Sequence, residues 1–348
     1  MKKIILVMIS MLFAVEIFAC DLCSIYIGIE PKDYKNSFGV RYRYRAFESD
    51  FLTTNNASNL RINSTPTQRK GVINDKHLGE NTFNGSENET FTYSETFISY
   101  DVFANFYLSK RFQLNVNTYF ADNYTYKNDS TLENISGIGD ITITTTYQLF
   151  NTKQNADTSK KFIHRVNVGA GIAIPTGSYN KKSIVGFQTK IQPNVILGSP
   201  IEELDPHLQS GTGAFSSLFI LEYLVKYKNI GLNSNISYKA NTENKNNFRF
   251  ANRFNANSNI FYLGKISKTL TLMPTIGTAM EFSNRDTFEN YSYLGSGGEV
   301  WFANIGTTLF VKNWGLNFMY YTPVYQRLND IQPENKNRVI AQLTYYFN

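Results

Sequence analysis

The sequence predicts an all-β protein: a transmembrane antiparallel up-and-down β-barrel of about twelve strands. Three observations carry this. Segments alternating apolar and polar residues recur from end to end. Their connections alternate short and long. The chain closes on such a segment, with Val339, Ala341, Leu343, Tyr345 and Phe347 on one face and Arg338, Ile340, Gln342, Thr344 and Tyr346 on the other. Outer-membrane barrels share this pattern, because lipid-facing and lumen-facing residues alternate along every strand.

Composition agrees. The chain has 348 residues, with 23 Tyr and 27 Phe. Its many Asn, Thr, Ser and Gly residues suit strands and turns. After the N-terminus no window approaches the roughly 18 apolar residues of a spanning helix. The net charge of +6 is spread out, with no basic run of the kind that binds nucleic acid.

The first element is a leader. Met1-Lys2-Lys3 is a basic start, Ile4 to Val15 an apolar core, and Glu16 to Ala19 leads to Cys20. This reads as a signal peptide over 1–19, too short to span. A periplasmic N-terminal segment over 20–37 follows, holding the only cysteines, Cys20 and Cys23. Three states compete for them: a local disulfide in an oxidising compartment, lipidation of Cys20, and a soft-metal site. The barrel then occupies 38–348.

The expected strands cover 38–47, 91–108, 112–126, 138–150, 161–175, 214–227, 230–242, 247–263, 269–284, 299–311, 314–327 and 337–347. Most exceed the ~9–11 residues that cross a bilayer. Strands two and three are joined at 109–111, six and seven at 228–229, eight and nine at 264–268, ten and eleven at 312–313. The longest connections, 48–90 and 176–213, fall on the opposite side. Two prolines, Pro274 and Pro323, fall inside strands nine and eleven, where bulges are expected.

Four stretches resemble a known family. They are Gly137-Ile138-Gly139-Asp140-Ile141, Ile174-Pro175-Thr176-Gly177, Asp205-Pro206-His207-Leu208-Gln209-Ser210-Gly211-Thr212-Gly213, and Pro323-Val324-Tyr325-Gln326-Arg327-Leu328-Asn329. In this order the chain resembles the outer-membrane barrel "transporter" family related to phenol-degradation MetA proteins. The resemblance implies a barrel that passes small molecules, aromatic or hydrophobic ones among them. Read as residues, the motifs shape loops: Gly137 and Gly139 let the chain turn, and Asp205-Pro206 starts a turn. Asp205, His207 and Gln209 mark the most distinctive one.

Setting the more polar phase inward gives the candidate lumen residues. They are Arg41, Arg43 and Arg45 on strand one, Glu95 and Asp101 on strand two, and Arg165 on strand five. Glu222, Lys226, Lys239, Arg249, Arg253 and Glu281 follow on strands six to nine. Such charges either form a stiffening ion-pair network or a constriction that selects by size and charge. The arginine row on strand one is the best candidate for a functional line, since like charges at period two repel unless acids or anions face them.

Enzyme chemistry has no constellation here. His77, His164 and His207 lie far apart, and no nucleophile elbow, metalloprotease helix or phosphate loop occurs. No cofactor pattern appears. The sequence therefore predicts an outer-membrane protein of a Gram-negative bacterium, with membrane lipid and a small solute as partners. Passive uptake or export is the expected role. The alternative is a non-conducting barrel that binds a metal or anchors a periplasmic partner through Cys20 and Cys23.

Overall fold

The computed structural model describes residues 34–52, 61–62, 90–152, 162–179, 182–183, 202–203, 205–293, 295–329 and 332–348. Twelve strands form a closed antiparallel barrel. They are β1 Asn36–Leu52, β2 Thr90–Tyr107, β3 Phe112–Lys127, β4 in two segments (Ser130–Ile138 and Ile141–Asn151), β5 Phe162–Ile174 and β6 Ser216–Tyr227. The rest are β7 Ile230–Asn241, β8 Arg253–Tyr262, β9 Leu270–Ser283, β10 Gly298–Val311, β11 Trp314–Leu328 and β12 Glu334–Phe347. Each strand pairs with the next, and β12 returns to β1 from Asn36–Phe347 to Glu48–Glu334. Closure leaves the sheet without a free edge along that seam.

The period-two pattern places its apolar phase outside. Val40, Val102, Phe219, Ile260, Ile276 and Ile305 are exposed around the wall, as a lipid-facing belt requires. The end that holds both strand termini carries an aromatic girdle. Phe162 meets Tyr227 and Trp314 meets Tyr345, each pair 4.8 Å between ring centres. Two turns at this end are tight: Lys228 and Lys312 sit at positive φ in two-residue connections, geometry that matches strand twist.

Four expectations need correction. Strand four begins at Ser130 rather than 138, because Asn128 and Asp129, both at positive φ, close a two-residue hairpin at the loop end. That is the primed turn that twisted strands favour. Gly137–Ile141 therefore interrupts β4 instead of opening it. Strand eight begins at Arg253. Residues Phe248–Arg249 instead pair with Thr287–Phe288, and those with Tyr291–Ser292, in a small sheet at the loop end. Arg249 is exposed there, its Nε donating to the Asn241 carbonyl, outside the lumen. Finally, Pro274 makes no bulge. The β9 ladder toward β8 stops at Phe261–Thr275 and resumes in the same register at Gly264–Leu272. The missing N–H of proline opens the ladder without shifting it. At Pro323 the bulge is present: Trp301 pairs with Tyr325 and Phe302 with Pro323.

The ladder between β11 and β12 runs from Trp314–Tyr345 to Tyr321–Arg338. Beyond it a side chain makes the connection. Gln326 Oε1 accepts from the Asn335 backbone N–H at 2.9 Å.

Candidate functional site

The lumen is the candidate site, and it is filled in layers. At the turn end, inward residues Leu224, Phe261, Met273, Phe310 and Tyr346 form an apolar cluster. Gly231 makes room for the Phe261 ring, which a Cβ there would strike. Toward the loop end, Phe47, Phe97, Ile135 and Leu208 form a second cluster. A polar band lies between them.

The band's charges are paired. Arg43 Nη2 lies 2.7 Å from Asp101, and Arg41 lies 3.7 Å from the same carboxylate. Arg41 Nε also donates to Gln342 Oε1 at 2.9 Å. Each arginine of the β1 row stands over a ring: Arg41 over Phe103, Arg43 over Tyr119 and Arg45 over Phe97, at 5.2, 5.6 and 5.0 Å. Arg165 faces Glu222 at 3.8 Å, and Asn167 donates to Glu222 at 2.6 Å. Arg338 spans the interior to Glu281 at 2.8 Å, its guanidinium 4.2 Å from the Phe302 ring centre. Arg338 belongs to the last strand's polar phase, which the sequence showed without marking this residue for the lumen.

Glu95 shares the inward phase of β2 and accepts from the Tyr93 hydroxyl at 3.1 Å. Lys226 shares the inward phase of β6 near the turn end. Arg253 is buried, over Phe250 at 5.9 Å. His164 lies on the outer face, hydrogen-bonded to the Tyr223 hydroxyl. Cys20, Cys23 and His77 lie outside the described residues.

A loop enters from the loop end and caps this band. Pro206–Leu208 forms one 3-10 turn, started by Asp205, which accepts from the His207 N–H. The segment then runs buried through Gln209 and Ser210. Two wall residues hold it: the Tyr119 hydroxyl donates to the Ser210 carbonyl at 2.8 Å, and Asn123 Nδ2 donates to the Leu208 carbonyl at 2.9 Å.

Asp140 is the principal anchor. Its carboxylate accepts from the Gly177 N–H at 3.0 Å, the Thr212 N–H at 3.0 Å and the Thr212 hydroxyl at 2.6 Å. Three of the four sequence motifs therefore converge on one buried carboxylate. Gly177 and Gly211 touch so closely that a Cβ on either would lie 2.8 Å from the other's Cα. No spacing along the chain brings positions 140, 177 and 212 together. The signal was the shared presence of short Gly-containing motifs.

His207 ties the cap to the other loops. Its Nδ1 lies 2.7 Å from Asp205 and its Nε2 2.6 Å from Asp286. Asp286 also accepts from the Ala251 N–H at 2.6 Å. Phe248, Phe250 and Tyr293 surround the ring. Burial disfavours the imidazolium, but the two carboxylates outweigh it and hold His207 well above its ordinary range. Phe248 and Phe250, expected on the lipid face, are buried in this cluster.

Two cavities lie along this band among the described residues. The larger, about 140 Å³, lies below the cap against Arg41, Arg43, Asp101, Tyr119, Asp140 and Glu222. The smaller, about 60 Å³, lies along the cap, lined by Arg45, His207, Gln209 and Arg253. Arg43, Tyr119, Thr212 and Lys239 border both.

The fold is that of an outer-membrane β-barrel. The structure is similar to a crystal structure of an outer membrane channel from Pseudomonas putida F1. The TM-score is 0.54 at 13% identity, over 92% of this chain and 100% of that one. The β domain of the Bordetella autotransporter BrkA (TM-score 0.43, 8% identity, 90% and 100% covered) and the P. putida toluene transporter TodX (0.38, 8%, 90% and 90%) also align. No family model matches the chain, and no curated protein matches it. The closed twelve-stranded antiparallel barrel with its outward apolar belt is the architecture of Gram-negative outer-membrane proteins.

Proposed function

We propose that this barrel is a passive channel for small solutes, with the Asp205–Ala214 segment as its constriction. The observation that carries the reading is the polar band: below the cap, hydrogen-bonding side chains on β1 to β4, β6, β7 and β10 to β12 border one cavity. An aqueous route needs such a lining. Its volume of about 140 Å³ compares with the roughly 150 Å³ that takes up benzene in an engineered protein cavity. The cavity thus sets a size class.

Aromatic or hydrophobic solutes, and kinship with the phenol-degradation transporter family, belong to this proposal. They draw support from the motif resemblance and from the ring faces of Phe103, Tyr119, Phe310 and Tyr346 in the lining. The turn end, where both strand termini lie, faces the periplasm. The charges of Arg41, Arg43, Arg45, Glu95, Asp101 and Glu222 set the field along the route. Glu281 acts with Arg338 to brace the wall.

Planar-bilayer recording and liposome swelling test the reading. The expected result is a small, reproducible conductance. A folded, inserted protein that passes neither salt nor any small solute overturns it.

One observation favours a second reading, a non-conducting barrel. The turn-end cluster of Leu224, Phe261, Met273, Phe310 and Tyr346 occupies the lumen beneath the polar band. In that reading Cys20 and Cys23 hold a metal or a periplasmic partner. Equal metal binding by the mature protein and its Cys23→Ser form would remove that role.

A further inference from the structure

The wall of the larger cavity carries a pattern that size alone does not use. On adjacent strands β3 and β4, Gln113, Asn115 and Asn117 stand directly opposite Thr146, Thr144 and Thr142. All six border the cavity. Carboxamide faces hydroxyl on three successive rungs. The rungs are loosely bonded within themselves: the Thr146 hydroxyl lies 3.2 Å from Gln113 Oε1, and the Thr144 hydroxyl 3.5 Å from Asn115 Oδ1. On the far wall Asn317 donates from Nδ2 to the Thr308 hydroxyl at 2.8 Å, while its buried Oδ1 has no hydrogen-bond partner among the described residues. Asn317 is 6% exposed, and it borders the same cavity.

Charge complementarity does not favour an ion. Asp101 faces Arg41 and Arg43, Glu222 faces Arg165 and Asn167, and Asp140 is engaged by the cap. Lys239, which also borders the cavity, is engaged as well, so a charged solute gains a partner only by displacing an existing one. A fully apolar solute strips water from the carboxamides and returns no hydrogen bonds, which penalises each buried polar group it leaves unmet. A solute whose every hydroxyl both donates and accepts meets both requirements.

We propose that the lumen selects small, uncharged, polyhydroxylated solutes. Their hydroxyls bond the Asn/Thr face of β3 and β4, and their C–H groups meet the apolar end of the lining at Phe310 and Tyr346. A volume of about 140 Å³ amounts to a few water volumes of ~30 Å³ each, the size of a short polyol. This inference rests on the channel reading and departs from it in solute class: the lining favours polyols over the aromatic or hydrophobic solutes that the motif resemblance implies.

Swelling of proteoliposomes holding the full-length protein is compared for erythritol, glycolate and ethanolamine, with protein-free liposomes subtracted. The variants are the double change Asn115→Leu with Thr144→Val, the conservative Thr144→Ser, and, on the opposite wall, Asn317→Leu. A heat-dependent shift in gel mobility confirms that each is folded. Erythritol should enter faster than either ion. The double variant should slow it about tenfold, as expected for losing one or two hydrogen bonds, and Thr144→Ser should restore it. If the double variant does not fold, Asn317→Leu alone should slow erythritol several-fold.

Ions entering as fast as erythritol overturn the inference and leave the channel reading standing. So does an erythritol rate that the folded Leu variants do not change. If salt carries no current and nothing swells, the channel reading falls and this inference falls with it.

Discussion

At the scale of single residues, Asp140 and His207 organise the loop end. Asp140 accepts three hydrogen bonds from two loops. A hydrogen bond to a charged group is worth roughly 1.5–3 kcal/mol. Asp140→Ala is therefore expected to detach the cap by about 3 kcal/mol while the strands stay paired. Raised conductance, together with faster proteolytic cleavage between 205 and 214, checks this. Unchanged cleavage argues that the cap is held elsewhere. His207 adds a pH dependence of opposite sign to that of an acid. Its folded pKa is raised, so the stabilisation is complete below its ordinary value of about 6.5. It is lost as pH climbs through the raised folded pKa. Imidazole NMR signals of the detergent-solubilised protein should still report the protonated ring at neutral pH. In His207→Gln, cap cleavage should lose this alkaline dependence.

At the scale of elements, the strands were legible because burial acts at period two. On β3, Gln113, Asn115, Asn117 and Tyr119 border the lumen cavity, while Phe112 and Phe120 of the alternate phase are exposed. Reading failed where residues obey that period for another reason. Phe248 and Phe250 alternate with Arg249 like a lipid-facing strand, yet their rings enclose His207. A local pattern cannot say whether an apolar phase meets lipid or a loop. The Asn128-Asp129 hairpin was missed because the polar Ser130–Asn134 stretch looks like a loop. Its pairing partner on β3 makes it a strand. The arginine row was visible, but Asp101 opposite Arg41 is a fact of register. The Asp140 junction, built from three distant segments, left no periodic trace.

At the scale of the whole molecule, an ordinary inside and outside are exchanged. The outer wall carries exposed Ile276 and Ile305 on neighbouring strands. The interior carries paired charges and carboxamides. The cost of polar substitution should therefore depend on the face. Ile276→Arg places a charge in lipid, where the penalty is about 2–4 kcal/mol near the bilayer midplane. Urea unfolding in lipid vesicles should reveal a loss of that size. Thr275→Asn, one residue away on the inward face, should change stability far less. Equal losses at both positions would contradict the assigned phase.

The seam between β11 and β12 has a mechanical meaning. From Arg338 to Tyr345, β12 is stitched on both sides, to β11 and to β1. Before that, Asn335 and Glu334 pair with β1 across a register shift, and the Gln326 carboxamide oxygen rivets Asn335 to β11. A cylinder of wall is stiff because each stave is clamped by two neighbours. Here one stave is clamped by one neighbour, beside the bulge at Pro323. Strain that reaches the rim from the loops concentrates at that joint, and the hoop yields there before it yields anywhere along the doubly stitched wall.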